Sequence, residues 1–156
     1  FSDNRNTPEY PAGQTFGYQA HLRLLQTIGS PLAENKIKYH AAASLASNHM
    51  TAVFFMAQKL FLECGFSMQQ ANWELYRLAK GNLENIHAQG CINSLTGPVE
   101  RGDQNTVQKH MDALDADMKN AYLENAKQLL EIAEQKNPDR DYAAMREILM
   151  PTEIGE

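Results

Sequence analysis

From Tyr39 to Phe61, apolar side chains recur at steps of three and four residues, through Ala42, Ala43, Ala46, Met50, Val53, Ala57 and Leu60. A backbone of 3.6 residues per turn puts all of them on one side, so the period predicts a helix over 36–64 with Gly65 as its stop. Around Val53 to Met56 the chain is apolar in nearly every direction. That marks the helix as a central, buried one, around which further helices must pack.

The rest of the chain is punctuated in the same idiom. Ser67 and Gln70 have capping-box spacing and open a second helix, carried by Ala71, Leu75, Leu78, Ala79 and Ile86 to about residue 89, with Gly90 as its stop. Asp103 caps a helix to about residue 114, and another runs over about 117–135. Asn137-Pro138 interrupts the chain, and Asp139 opens a last helix to about residue 149. Ahead of these, Pro8, Pro11 and Gly13 mark a loose entry. Gln14 to Tyr18 reads as a short strand, and Leu22, Leu25 and Ile28 read as a helix ending at Gly29. That order resembles the tail of an α/β domain. The expectation is an all-α helical domain over 36–150, preceded at 1–35 by such a remnant.

Composition narrows the function classes. A net charge of −5, with no extended run of lysine or arginine, argues against nucleic acid and anionic membranes as partners. The apolar run at 51–62 is broken by Gln58 and Lys59, too short to span a bilayer, and no signal peptide is evident. Cys64 and Cys91 form no CxxC and read as buried free thiols of a reducing cytoplasm. No HExxH, GxSxG or GxGxxG occurs, which leaves no metal, nucleophile-elbow or dinucleotide signature.

Chemistry-bearing side chains gather in two places. His40, Ser44 and Asn48 share one edge of the long helix, with Ser47 beside them. They either hydrogen-bond neighbouring helices or solvent, or line a cleft in which His40 moves protons near neutral pH. The second place is Leu95-Thr96-Gly97-Pro98-Val99-Glu100-Arg101-Gly102-Asp103, continued through Thr106 to His110. Two sharp turns with threonine, arginine, aspartate and histidine around them are more than a linker needs. The Arg101-Gly102-Asp103 tripeptide reads as a helix start, with Asp103 the cap and Arg101 pairing either with it or with a bound anion. Asn82 and Asn85 intrude near the apolar stripe of the second helix. His21, His49 and His87 lack ligand spacing and read as structural.

Tyr39-His40-Ala41-Ala42-Ala43, Ser47-Asn48, Asn85, Gly90 and the LTGPVERGD loop with Thr106 and His110 occur in a recognisable order. Over about 39–133 the chain resembles the C-terminal helical domain of unknown function that follows a Rossmann-like NADP-binding domain in bacterial oxidoreductase-like proteins. That domain is similar to the C-terminal domain of 6-phosphogluconate dehydrogenases. The resemblance implies that residues 1–35 end a nucleotide-binding domain whose glycine-rich start lies upstream of Phe1. The stretch between Gly29 and Tyr39 is a few residues shorter than the family leads one to expect.

The resemblance further implies an NADP-dependent oxidoreductase, with this chain supplying the wall of a small-molecule substrate site and the contacts of a cytoplasmic homodimer. A non-catalytic binding or dimerisation module is the alternative. The related β-hydroxyacid dehydrogenases carry a catalytic lysine four residues before an asparagine. Asn48 matches the asparagine and Ser44 stands at the lysine's place. A serine cannot replace an ammonium as proton donor, so His40, one turn earlier, is the candidate, with Asn48 beside it as the other catalytic residue. Ser44, Asn85, Thr96, Gly97, Arg101, Asp103 and His110 are the candidate substrate-binding residues, in a cleft between domains. The spread of Val53, Phe54, Phe55, Met56 and Phe61 around the long helix points to dimerisation through that helix.

Overall fold

The computed structural model describes residues 35–150, and every regular element among them is helical. The strand expected at 14–18 and the helix at 19–28, which carried the α/β remnant, lie outside the described residues. The chain divides into two compact units, 1–55 and 56–156.

In the first unit, α1 (Lys36–Ser44) runs into a π-helical turn (Leu45–His49), and α2 (Met50–Glu63) follows, continuing from Met56 as part of the second unit. Hydroxyl back-bonding accompanies the wide turn. Ser47 Oγ donates to the Ala43 carbonyl at 2.7 Å and Thr51 Oγ1 to the Ser47 carbonyl at 3.3 Å. Side chains that occupy helix carbonyls in this way compete with the regular i→i−4 ladder and admit an extra residue into the turn. The expectation of a central, buried helix is not met. No residue of α1, the π turn or α2 is buried, and Val53 is 44% exposed. Apolar content all round a helix signals that it needs neighbours, and the described residues do not supply enough of them.

Within the second unit, α2 ends where the sequence signals. Gly65 adopts φ +88°, Gly65 N–H donates to Leu62 O at 2.9 Å, and Phe66 N–H to Phe61 O at 3.1 Å. The Phe61 and Phe66 rings meet at 5.1 Å between centroids, the apolar contact that accompanies such a Schellman stop. Ser67 and Gln70 then form the expected capping box, with Ser67 N–H donating to Gln70 Oε1 at 2.9 Å and Gln70 N–H to Ser67 Oγ at 3.3 Å. This opens α3 (Met68–Ser94). Gly90, the expected stop, does interrupt the helix, with non-helical φ +76° and ψ 169°, and a further short helical piece runs on from it to Ser94. Only Ala71, Leu75 and Ser94 of α3 are buried.

The core of the unit lies further on, among α4 (Pro98–Arg101), α5 (Gln104–Asp112), α6 (Ala116–Lys136) and α7 (Ala143–Leu149). Alpha-helical spacing carries it: Val107 and Met111 from α5, Ala126, Leu130 and Ala133 from α6, and Met145 and Leu149 from α7, joined by Val99 and Tyr142. Burying a side chain such as Leu130, 1% exposed, stabilises by roughly 2–3 kcal/mol. Asp115 caps α6 by accepting from Met118 N–H at 2.8 Å. The last helix starts later than expected. Asp141, not Asp139, accepts from Ala143 N–H at 2.8 Å, because Tyr142 at the N-cap is drawn into the core. Cys64 and Cys91 are free, as expected, but exposed rather than buried.

Candidate functional site

The loop after α3 is shaped by its two glycines and one proline. Gly97, the N-cap of α4, takes φ +108°, a conformation that L side chains rarely adopt. Pro98 follows at the first helical position, where its missing N–H costs no hydrogen bond. Gly102 ends the single turn at φ +72° in a second Schellman arrangement. Its N–H donates to Val99 O at 3.1 Å and Asp103 N–H to Pro98 O at 2.8 Å. A short helix, not foreseen from the sequence, thus fills the middle of the loop.

That helix is fastened from within and from behind. Val99, 4% exposed, enters the core. Glu100 turns toward the α6–α7 connection, where its carboxylate accepts from Asn137 Nδ2 at 2.9 Å and Arg140 Nη1 at 3.3 Å. The Glu100 carbonyl accepts from the Tyr142 hydroxyl and from Arg140 Nη1. Lys136 Nζ donates to Leu95 O at 2.7 Å, closing the loop's other end. Glu100, Lys136, Asn137, Arg140 and Tyr142 were not singled out in the sequence. Asn137 stood out there only as half of a helix-breaking pair, since partners about forty residues away leave no local signal.

With Val99 and Glu100 turned inward, Thr96 and Arg101 remain exposed. The Arg101 guanidinium makes no ion pair with Asp103, one of the two arrangements expected of it. Asp103 is occupied elsewhere: Oδ1 accepts from Thr106 N–H at 3.1 Å and Oδ2 from Thr106 Oγ1 at 2.7 Å. These two bonds hold the Asp103 carboxyl below its usual pKa, with smaller help from the positive charges of Arg101 and Lys109. Asp103 is therefore the cap of α5, as its position suggested. His110 lies further along α5 with Nδ1 3.1 Å from the Tyr122 hydroxyl, the rings edge-on. Burial pushes the Tyr122 pKa up.

Thr96, Gly97, Arg101 and Asp103 are brought into one braced loop of the second unit. Asn85 is exposed on α3. In the first unit, His40 is exposed on α1, Ser44 is half-buried at its end, and Asn48 sits in the π turn, accepting from Ser47 Oγ at 3.2 Å. No cluster of three or more His, Cys, Asp or Glu able to hold a metal occurs among the described residues. None of their helices is long and apolar enough to cross a membrane. Nor do they fit a dinucleotide, whose pyrophosphate sits on a glycine-rich strand-to-helix turn. The one helix opened by a glycine, α4, is a single turn with no strand before it.

The second unit is thus a helical domain that holds a short, glycine-bounded loop rigid from behind while leaving a threonine and an arginine in solvent. The family described as Domain of unknown function (DUF2520) matches residues 19–129, and the chain belongs to it. No curated protein and no solved structure matches the chain.

Proposed function

We propose that this chain is the C-terminal, substrate-binding part of an NADP-dependent oxidoreductase with a helical domain like that of 6-phosphogluconate dehydrogenases. In this reading it works in the cytoplasm as a homodimer, and the dinucleotide is held by chain outside the described residues. The observation that carries the reading is the division of labour inside the loop. Val99 and Glu100 are spent on the fold, whereas Arg101 is presented on a braced turn with its donors unspent on described residues. A guanidinium held in that way suits a planar carboxylate or a phosphate, which it grips as a fork.

The roles divide by chemistry. Arg101 binds the substrate's anionic group, and Thr96 hydrogen-bonds beside it, with Gly97 letting the backbone come close. Asp103 and His110 shape the same region through Thr106 and Tyr122. On the first unit, His40 moves the proton that accompanies reduction of a carbonyl or imine, and Asn48 orients the reacting group, aided by Ser44. Asn85 completes the polar set. NADP, when bound, supplies the hydride.

Ser44 at the place of the related enzymes' lysine favours a second reading, a binding or dimerisation module without catalysis. NADPH consumption by the complete protein, offered carbonyl and imine substrates that carry a carboxylate or phosphate, separates the two. Turnover that falls by roughly 10²-fold or more in a folded His40→Ala variant supports the enzyme. Absence of any turnover, or full activity in that variant, overturns the assignment of His40.

A further inference from the structure

On α3, Gln69, Trp73, Tyr76, Lys80, Leu83 and His87 follow one another at steps of four, three, four, three and four. Side chains at that spacing form a continuous seam along one side of a helix. In a lone domain such a seam faces the core. Here every member is exposed, with Trp73 at 59%, Tyr76 at 53% and Leu83 at 50%, while Ala71 and Leu75 are the ones buried. A hollow of about 430 Å³ lined by Gln69, Gln70, Asn72 and Trp73 opens beside the N-terminal half of the seam.

We infer that this seam is a two-fold interface that takes a second copy of this chain, its α3 running antiparallel. The argument for a second copy is that the seam is complementary to itself in one register. With the axis level with residue 78, Trp73 lies against the partner's Leu83, and Tyr76 against the partner's Lys80. Gln69 lies against the partner's His87. Each layer is then a favourable pair: an aromatic ring on an aliphatic branch, a phenol ring under an ammonium, and an amide beside an imidazole. The hollow beside Trp73 receives the partner's Leu83. Ala79 approaches its own counterpart near the axis, and two such small residues let the backbones come close.

One flank opposes this. The two copies of Arg77 approach one another there, each with Glu74 of its own helix at 3.5 Å. The six side chains offer on the order of 600 Å² per copy against about 800 Å² in a standard interface, which puts the seam at the small end of specific interfaces. The inference rests on the homodimer proposed above and moves its contact from the long helix 36–64 to α3.

Sedimentation equilibrium of the chain under reducing conditions tests it. The parent should be a dimer at about 100 µM and dissociate near 10 µM. Tyr76→Lys, which sets ammonium against ammonium in two layers, should weaken association by roughly tenfold or more. Adding Lys80→Glu should restore it, since each layer then pairs opposite charges. Leu78→Lys serves as the control, because Leu78 is 64% exposed but off the seam, and it should dimerise as the parent does. Thermal melts confirm that all four proteins fold. A dimeric parent whose Tyr76→Lys variant associates equally well, or whose second substitution fails to rescue, overturns the seam and leaves the dimer. A monomeric parent at the higher concentration overturns both.

Discussion

Tyr142→Phe removes a single oxygen from the bracing of the loop. The ring, 4% exposed, keeps its place between α5, α6 and the loop, so little packing is lost. The hydroxyl donates to the Glu100 carbonyl and accepts from Asn137 Nδ2 at 3.2 Å and from Arg140 Nη1 at 3.5 Å. No partner is orphaned by its loss, since Arg140 Nη1 keeps both the carbonyl and the carboxylate of Glu100. The Glu100 carbonyl retains Arg140 Nη1, and Asn137 Nδ2 retains Glu100 Oε1 at 2.9 Å and Ala133 O at 3.3 Å. The cost is therefore that of a net hydrogen bond, about 1 kcal/mol, rather than that of a stranded buried group, up to about 3 kcal/mol. For a chain of this size that lowers Tm by roughly 2–4 °C. Circular dichroism melts of parent and variant measure it. Glu100→Ala, which strips both Asn137 and Arg140 of an acceptor, should fall further. A Tyr142→Phe variant that melts with its parent, or one that melts lower than Glu100→Ala, refutes this account of the brace.

Gly102→Ala should destabilise by about 1–2 kcal/mol, since an L residue at φ +72° is strained whatever the space around it; a denaturant midpoint equal to the parent's would contradict this. Asp103 gives the fold a pH dependence of known sign. Its pKa is lowered in the folded state by Thr106, so its stabilisation is present above the ordinary carboxylate range and disappears as pH falls through the lowered value. Melting temperatures followed downward from neutral pH should therefore converge for parent and Asp103→Ala, and a gap that persists in strong acid would speak against the cap as its origin.

What could be read in the sequence was whatever acts within one helical turn. The Ser67–Gln70 box, the Asp103 cap and the stop at Gly65 span three or four residues, and their chemistry is local. Gly90 was legible as a break in the helix, but not the short helical piece that resumes after it. Asp139 misled, since burial of Tyr142 decides where α7 begins. The π turn at Leu45–His49 depends on which carbonyls Ser47 and Thr51 choose, and periodicity does not register that choice. At the loop, threonine, arginine and the glycines were legible as unusual. That Val99 and Glu100 are the inward half of the motif was not, because the partners of Glu100 lie 37 to 42 residues further along.

The claim on which the functional account turns is that the braced loop presents Arg101 to an anionic substrate. Steady-state NADPH oxidation by the complete protein tests it, comparing parent and Arg101→Ala on a carbonyl substrate that bears a carboxylate and on its uncharged analogue. Loss of a charge-assisted fork should raise KM for the charged substrate by roughly 10- to 100-fold, leave kcat nearly unchanged, and leave the uncharged analogue unaffected. Equal losses on both substrates, tracking a lowered Tm, would contradict the claim and make Arg101 a structural residue.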